Sequence, residues 1–231
     1  MKIVVLTGAG VSAESGIKTF RAADGLWEDH RVEDVATPEA FVRDPATVYR
    51  FYNQRRAQLL SDEIKPNLAH QALAKFAADS SHEILIVTQN IDNLHERGGS
   101  TGVIHMHGEL LKARCVKTAQ RLIVNGDFDG EDICQCCQPG QSIRPDIVWF
   151  GEIPFHMDEI EKALFDCDLF ISLGTSGNVY PAAGFVAVAK QAGARTVELN
   201  LEPSSTNAQF DEHYYGLATE VLPAFLVTLG D

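Results

Sequence analysis

Short, continuous apolar runs recur along the chain and are typical of buried strands in a parallel sheet, because such strands are covered on both faces. Strands are predicted at residues 3–7, 84–88, 103–105, 147–150, 169–173 and 196–201. Apolar residues at helical spacing lie between them and predict helices at residues 69–78, 157–165 and 181–193. Strands that alternate with helices indicate a doubly wound α/β sheet.

Two stretches interrupt this alternation. Residues 28–60 have a helical pattern with no strand inside it, and residues 111–143 hold four cysteines among several glycines and prolines. We therefore predict an α/β fold in which residues 1–27, 61–110 and 144–231 form a Rossmann-like, doubly wound parallel sheet. The two interrupting stretches are predicted to form a smaller, discontinuous module, partly helical and partly like a zinc ribbon.

The first predicted strand runs directly into Gly8, Ala9, Gly10, Val11, Ser12 and Ala13. This is the G-x-G-x-x-A spacing of dinucleotide-binding loops, which place a pyrophosphate against a helix N-terminus. The alternative is a strand–turn–helix junction that binds nothing. A dehydrogenase would carry an acidic residue about 20 positions later, at the end of a second strand. Residues 19–27 instead form a polar, glycine-containing stretch that we interpret as a lid over the ligand.

Polar residues follow four of the predicted strands. Ligands gather beyond the carboxyl ends of the strands in open α/β sheets, so these residues are candidates for one shared site. They are Gln89, Asn90, Ile91 and Asp92; His105, His107 and Gly108; Gly174, Thr175 and Ser176; and Asn200, Leu201 and Glu202.

His105 and His107 lie in and just after a short predicted strand, and we expect them to face opposite ways. One of them is expected to be a core histidine with its hydrogen bonds satisfied. The histidine beside Gly108 has space next to it and is the candidate general base, because imidazole titrates near neutral pH.

The formal net charge of −13 argues against nucleic acid or an anionic membrane as the primary partner. No apolar run approaches the roughly 20 residues that cross a bilayer. The N-terminal residues have no signal-peptide pattern. These features predict a cytoplasmic protein.

Four of the five cysteines lie between residues 115 and 137, which argues for a local metal module and against a secreted disulfide framework. A structural zinc site would use Cys115, Cys134 and Cys137 as ligands. Thr118 stands where the second cysteine of the first C-x-x-C pair is expected. The fourth ligand is therefore open: it could be Cys136 or another group, or zinc could be absent.

Taken together, these motifs resemble the sirtuin family, and the segments Phe20–Trp27, Val103–Leu111 and Pro181–Phe185 resemble its bacterial CobB-type branch in particular. The resemblance runs in order through nearly the whole chain. It rests on Gly8-Ala9-Gly10-Val11-Ser12, Phe20-Arg21, Thr88-Gln89-Asn90-Ile91-Asp92, His107-Gly108, Gly174-Thr175-Ser176 and Asn200-Leu201-Glu202.

The resemblance implies an NAD-dependent protein-lysine deacylase whose substrates are acyl-lysine proteins or peptides. In that family NAD is a co-substrate. The acyl carbonyl oxygen displaces nicotinamide, the ribose hydroxyls attack the resulting imidate, and the products are free lysine, nicotinamide and O-acyl-ADP-ribose.

The resemblance also implies roles for individual residues. His107 would be the catalytic base, while Asn90 and Asp92 would position the ribose and nicotinamide. The substrate peptide would pair as an added strand near Val148, Phe150, Gly151 and Glu152. The other expected NAD-binding residues are Gly8, Ala9, Gly10, Ser12, Ala13, Ile17, Thr19, Phe20, Arg21, Trp27, Gln89, Ile91, Gly174, Thr175, Ser176, Asn200, Leu201 and Glu202.

The helix predicted after Asp44-Pro45 bears on the choice of acyl group. Val48, Phe51, Tyr52, Arg55 and Leu59 fall on one stripe of it, which should be buried. A buried guanidinium needs an anionic partner. That partner could be an internal carboxylate, or the acid end of a succinyl group held by Tyr52 and Arg55. Tyr-x-x-Arg also matches the acid-recognising motif of desuccinylase-like sirtuins, so we expect both deacetylation and desuccinylation.

Three other functions remain open at this point. A sirtuin-like site could perform mono-ADP-ribosyl transfer. A conventional NAD-dependent oxidoreductase is disfavoured by the missing ribose-binding acid. A non-catalytic NAD sensor is disfavoured because the Gly loop, Asn90, Asp92 and His107 are all intact.

Overall fold

The computed structural model describes residues 1–18, 26–27 and 30–230. The strands are β1 (Lys2–Thr7), β2 (Leu26–Trp27), β3 (His30–Arg31), β4 (Glu83–Thr88), β5 (Ile104–His105), β6 (Gly108–Cys115), β7 (Arg121–Ile123), β8 (Ile143–Ile147), β9 (Leu169–Leu173), β10 (Arg195–Asn200) and β11 (Glu212–Tyr215). The helices are α1 (Gly10–Ala13), α2 (Val32–Val35), α3 (Pro38–Arg43), α4 (Pro45–Leu59), α5 (Leu68–Asp79), α6 (Leu94–Arg97), α7 (Met157–Asp166), α8 (Phe185–Gln191) and α9 (Ala218–Leu229).

The main sheet is parallel and has the strand order β11-β10-β9-β1-β4-β5. Ile3 of β1 stands opposite Ile84 of β4 on one side and Leu169 of β9 on the other. The chain adds β4 and β5 on one side of β1 and then crosses to add β9, β10 and β11 on the other. The strand order therefore reverses at β1, which is where such folds bind ligands.

Successive residues of β1 alternate between two cores. Ile3 and Val5 pack in a cluster with residues of α5 and α9. Val4 and Leu6 pack in a second cluster with residues of α7 and α8. Each buried aliphatic side chain contributes about 1.5–3 kcal/mol to the stability of the fold. The sheet is therefore stabilised by its contacts with helices on both faces. The predicted doubly wound α/β fold is confirmed.

A small module, made of α2–α4 and the antiparallel sheet β7-β6-β8, lies in the two stretches that interrupt the alternation. α4 begins after Asp44, whose carboxylate accepts a hydrogen bond from the Thr47 N–H at 3.1 Å, with Pro45 in its first turn. The buried face of α4 packs against Leu110 of β6 and Ile147 of β8. The sheet extends from residue 108 to residue 147, beyond the predicted limits of 111 and 143.

Two sequence predictions are wrong in detail. The strand predicted at residues 147–150 does not form, because β8 ends at Ile147 and the Trp149 N–H bonds the Glu152 carboxylate at 2.9 Å. Gly151 has a φ of +92° and turns the chain there. Residues 28–60, predicted to lack a strand, contain the two-residue β3, which pairs with β2.

Candidate functional site

The loops after β1 and β9 meet at the point where the strand order reverses. The Gly8 N–H donates to the Leu173 carbonyl at 3.0 Å, and the Gly10 N–H donates to the Gly174 carbonyl at 2.8 Å. A Cβ atom placed on Gly8 would lie 2.8 Å from the Gly174 oxygen. Glycine is therefore required here for the contact between the two loops.

A cleft of about 870 Å³ opens beside this contact and runs towards the small module. Its volume is within the usual range of small-molecule and cofactor sites. The predicted residues that line it are Gly8, Ala9, Gly10, Ser12, Ala13, Ile17, Tyr52, Gln89, Asn90, Ile91, Asp92, His107, Val148, Phe150, Gly151, Glu152, Gly174, Thr175, Ser176, Asn200, Leu201 and Glu202.

Asn90 and Asp92 are fixed on the cleft wall by the loop after β1. The Asn90 side-chain N–H group donates to the Gly8 carbonyl at 3.1 Å and to Ser12 Oγ at 3.2 Å. Ser12 in turn donates to Asp92 Oδ2 at 3.0 Å. Burial raises the pKa of Asp92, although bonds from the Leu94 N–H and Ser12 oppose the rise. The two side chains are thus oriented before any ligand arrives.

His107 lies between β5 and β6 and faces the same cleft. Its Nδ1 is 3.1 Å from the Gln89 carbonyl oxygen. A carbonyl can only accept, so Nδ1 carries the hydrogen and Nε2 keeps the lone pair that takes up a proton. Burial lowers the pKa of His107, and the bond to Gln89 offsets part of this. The ring is therefore a neutral base at physiological pH.

Gly108 sets the direction of the chain directly after His107. Its φ is +87°, and a Cβ atom there would lie 1.9 Å from the Asp146 carbonyl oxygen of β8. Any other residue would push β6 away from β8. His105, two residues before His107, is 8% exposed and contacts Glu96 on the far side of the strand. The two histidines have different surroundings, but strand alternation does not explain this, because residues two apart in a strand face the same way. β5 ends at His105, and the chain turns before β6 begins at Gly108.

The other half of the cleft is built on β9 and β10. The Asn200 side chain donates to the Thr175 carbonyl at 2.9 Å, and the Gln89 amide donates to Thr175 Oγ1 at 3.1 Å. Sequence reasoning missed the lining residues at 178–180, 203–205 and 216–218. Residues 216–218 follow β11, so the strand-end rule would have found them if β11 had been predicted.

Tyr52 and Arg55 occupy different environments on α4. Tyr52 is fully buried, lines the cleft and accepts a hydrogen bond from Trp149 Nε1 at 3.0 Å. Arg55 is half-buried, and its guanidinium carbon lies 5.2 Å from the centre of the Phe51 ring. Arg55 is not among the cleft-lining residues in the described part of the chain.

The fully buried arginine of α4 is Arg56, whereas Arg55, which the spacing places on the buried stripe, is half-buried with Nε and Nη1 shielded from solvent. Arg56 is 1% exposed and donates to the Leu110 carbonyl at 3.0 Å and to Asn53 Oδ1 at 2.7 Å. Its guanidinium also covers the Phe128 ring at 4.7 Å. Burial lowers its pKa to about 10. Carbonyl and amide oxygens accept from Nε and Nη1 of this cation, and the charge of Asp127 favours it.

The segment predicted to receive a peptide forms one rim of the cleft. Val148 donates its N–H to the His107 carbonyl at 2.9 Å. The Glu152 carboxylate accepts from Arg144 at 2.7 and 3.0 Å and from the Trp149 N–H. Glu152 therefore stabilises the conformation of the rim through these hydrogen bonds. The side chain of Phe150 is 45% exposed.

Four thiols converge in the small module. The sulfur atoms of Cys115, Cys134, Cys136 and Cys137 all lie within 4.8 Å of one another. Zinc–sulfur bonds of about 2.3 Å in a tetrahedron give sulfur–sulfur edges of about 3.8 Å. The Cys115–Cys137 and Cys136–Cys137 separations are 3.8 and 3.9 Å. The four cysteines could hold a zinc ion, with Cys136 as the fourth ligand.

Some predicted residues lie outside the described ranges. These are Thr19, Phe20 and Arg21, together with the side chain of Trp27. The described ranges contain no apolar helix of the length that spans a bilayer.

Comparisons with known proteins agree with this geometry. The chain is 62% identical to an NAD-dependent protein deacylase of Pasteurella multocida, with 98% of this chain and 97% of the relative covered. It is also 62% identical to an NAD-dependent protein deacylase of Escherichia coli K12, with 99% of this chain and 82% of the relative covered.

Solved structures resemble this chain over nearly its full length. A Sir2 homologue in complex with NAD has a TM-score of 0.88 at 37% identity, with 99% of this chain and 89% of the homologue covered. A Sir2 complex with a p53 peptide and NAD⁺ has a TM-score of 0.81 at 31% identity, with 99% and 93% covered. The model of the Sir2 family matches residues 8–181. The chain therefore belongs to the Sir2 family.

Proposed function

We propose that this protein is an NAD-dependent protein-lysine deacylase that releases free lysine, nicotinamide and O-acyl-ADP-ribose. The observation that carries the proposal is the convergence of the neutral His107 with Asn90 and Asp92 on one cleft beside the Gly8–Gly174 contact. The relatives at 62% identity are named NAD-dependent protein deacylases.

Each residue has a distinct task in this proposal. The Gly8–Gly174 loop contact lets the pyrophosphate of NAD approach the chain closely. Asn90 and Asp92, fixed through Ser12, orient the nicotinamide ribose. His107 Nε2 takes the proton of a ribose hydroxyl, while Nδ1 stays bonded to Gln89. The acyl-lysine enters along the rim at residues 148–152, where backbone pairing holds the peptide as an added strand.

The test is to incubate the protein with NAD and an acetyl-lysine peptide and to identify the products by mass spectrometry. We expect free lysine and O-acetyl-ADP-ribose in equal amounts. His107→Ala should lower the rate about 10²–10⁴-fold, since this is the usual contribution of a general base. His156→Asn is the matched control, because His156 is exposed and asparagine tolerates its φ of +60°. Reduced NAD, or ADP-ribose attached to protein, would refute the proposal.

We infer that the same cleft also accepts succinyl-lysine. Tyr52 lines the inner wall, and burial raises the pKa of its phenol, so the hydroxyl stays protonated and can donate to an anion. Arg55 lies three residues along α4, within reach of the same carboxylate, since residues three apart are neighbours on a helix. The Tyr-x-x-Arg motif supports this substrate class.

Arg55→Met tests the succinyl specificity. Loss of a charged hydrogen bond of about 1.5–3 kcal/mol should lower kcat/KM for a succinyl peptide about 10- to 100-fold. The value for the matching acetyl peptide should change less than about threefold. Arg50→Met is the control, because Arg50 is an exposed arginine on the same helix. Equal losses for both peptides would contradict an anion pocket.

A further inference from the structure

His105 lies behind the wall of the cleft, on the side of β5 that faces away from the cleft. It is 8% exposed and stands opposite Thr88 in the pairing of β5 with β4. Its neighbours are the loop at residues 89–93, which we call the catalytic loop, and α6, which follows that loop directly. The catalytic loop carries Asn90 and Asp92.

Both ring nitrogens of His105 bond groups that can only accept. Nδ1 is 3.3 Å from the main-chain oxygen of Asn90. Nε2 is 2.8 Å from the Glu96 carboxylate. A neutral imidazole has one N–H, whereas two donors require the imidazolium form. Burial lowers the pKa of His105, but the bond and charge of Glu96 outweigh it, so the pKa is raised.

The surrounding charges are consistent with a cation at this position. The pKa of Glu96 is lowered: burial raises it, and the bond and charge of His105 reverse that effect. Glu109 of β6 also favours the protonated ring. Asp92 is buried nearby, and the charge of His105 favours its ionised form. His95 faces His105 as well, but burial lowers its pKa to about 3, so it adds no positive charge.

The two partners of His105 lie on either side of Asp92 along the chain. Asn90 is near the start of the catalytic loop, and Glu96 belongs to α6, which begins where Asp92 Oδ1 accepts the Leu94 N–H at 3.0 Å. A ring bonded to both partners fixes the loop from behind. On the cleft side, Ser12 bonds the side chains of Asn90 and Asp92.

We propose that His105 is a positioning residue for NAD: as a buried imidazolium it holds the backbone of Asn90 on one nitrogen and Glu96 on the other, and so sets the catalytic loop. The role in turnover rests on the proposed deacylase function. The protonation state and the effect on NAD binding can be tested without turnover.

Two amide side chains can separate the two bonds of His105. The amide nitrogen of asparagine reaches roughly the place of Nδ1, and that of glutamine reaches roughly the place of Nε2. His105→Ala should raise the KM for NAD about tenfold, as expected for loss of a charged hydrogen bond, and leave the KM for the peptide unchanged. His105→Asn should recover most of this loss, and His105→Gln should not. Equal defects in all three variants, or a rise in the peptide KM alone, would overturn the proposal.

NMR reports the charge directly. In protein labelled with ¹⁵N-histidine, the His105 ring, assigned by its loss in His105→Asn, should show two protonated nitrogens at neutral pH. Glu96→Gln should convert it to a ring with one. A single protonated nitrogen in the unaltered protein would overturn the proposal. If the protein failed to deacylate any peptide, calorimetric NAD binding by the same variants and the NMR spectra would still decide the role of His105.

Discussion

His105 and His107 are separated by one residue, yet the pKa of one ring is raised and that of the other is lowered. Both rings are largely enclosed, so burial disfavours the charged form of each. The difference lies in the partner, because His105 meets the Glu96 carboxylate and His107 meets the neutral Gln89 carbonyl. The base of the proposed reaction is thus kept free of a counter-charge.

The lowered pKa of His107 has a consequence for the pH dependence of deacylation. A base whose pKa is depressed stays unprotonated at pH values where an ordinary histidine, near 6.5, is already half charged. We expect kcat/KM to stay level as the pH falls through 6.5 and to decline only below it. The measurement is kcat/KM for an acetyl peptide between about pH 5 and pH 8.

The control for this profile is NAD binding, measured calorimetrically over the same pH range. Binding that weakens in parallel with kcat/KM would assign the decline to the nucleotide site. If NAD binding did not change with pH and kcat/KM fell to half its maximum at pH 6.5 or above, the neutral-base assignment would be contradicted.

Single residues were predictable where a motif or a strand end marked them. Asn90, Asp92 and His107 all lie on the cleft, as the strand ends indicated. Helical spacing did not reveal the full burial of Arg56, because Arg55 and Arg56 are adjacent and only packing decides which of them is enclosed completely. Arg56 donates to the Leu110 carbonyl and packs on the Phe128 ring. Neither contact can be inferred from the residue spacing of α4.

At the scale of elements, the cysteine cluster joins the end of β6 to the loop before β8. Cys115 ends β6, and the other three thiols come from four consecutive residues, 134–137. The Thr118 hydroxyl lies 3.2 Å from Cys136 Sγ. A thiol at position 118 would therefore reach the place that Cys136 occupies.

Moving the cysteine from position 136 to position 118 tests which residues bind zinc. Cys136→Ser should lower bound zinc well below about one ion per chain, because one of four thiolate ligands is lost. Adding Thr118→Cys to that variant should restore it. Zinc is measured by elemental analysis of purified protein, and unfolding of the small module by hydrogen exchange.

Cys167→Ser is the control for the zinc measurement, since Cys167 is buried in the main core beside α7. It should leave the zinc content unchanged. Full zinc in Cys136→Ser alone would show that Cys136 is not a ligand.

Elements were predicted best where both faces are buried. β1, β4, β9 and β10 have continuous apolar sequences and were all predicted within a residue or two. β11 was missed because it is an edge strand whose residues Glu212–Tyr215 are mostly polar and largely exposed. The apolar run at 147–150 misled the prediction. Trp149 lies in a loop after β8 and is buried because its side chain packs inward and bonds Tyr52.

At the scale of the whole molecule, two buried neutral histidines link α5 and α6 to the sheet. His95 Nε2 is 3.0 Å from Thr7 Oγ1 of β1, and the His70 and His95 rings meet edge to face at 5.0 Å. Burial lowers their pKa values to about 4 and about 3. The unfolded chain, with ordinary histidines, binds more protons than the folded protein in mildly acidic solution.

This difference predicts that the fold weakens in mild acid. The stability that comes from keeping these rings neutral is fully present above pH 6.5 and is lost as the pH falls towards 4. Each histidine can lower the free energy of unfolding by up to about 1.4 kcal/mol per pH unit in this range. Urea unfolding at several pH values between about 7.5 and 5 measures the slope.

His70→Asn is the matched variant, because asparagine can still accept the Asn67 N–H that His70 Nδ1 receives. Its pH slope should be shallower than that of the unaltered protein by up to about 1.4 kcal/mol per pH unit. His105 acts in the opposite direction, since its raised pKa favours folding at low pH, whereas the lowered pKa of Glu96 removes stability as the pH falls. Identical slopes would show that His70 is not the titrating group.

The contact between Gly8 and Gly174 also determines the order in which parts of the sheet can form during synthesis, because the chain leaves the ribosome N-terminus first. β1 can pair with β4 once residue 88 is available, but its other edge must wait for β9 at residues 169–173. Until then β1 presents an unpaired, apolar strand edge, which is a site for aggregation. The loop after β1 acquires its partners, the carbonyls of Leu173 and Gly174, at the same late moment. The loop after β1 is therefore completed only after β9 has been made, and a nascent chain that ends before residue 174 lacks the carbonyls that shape this loop.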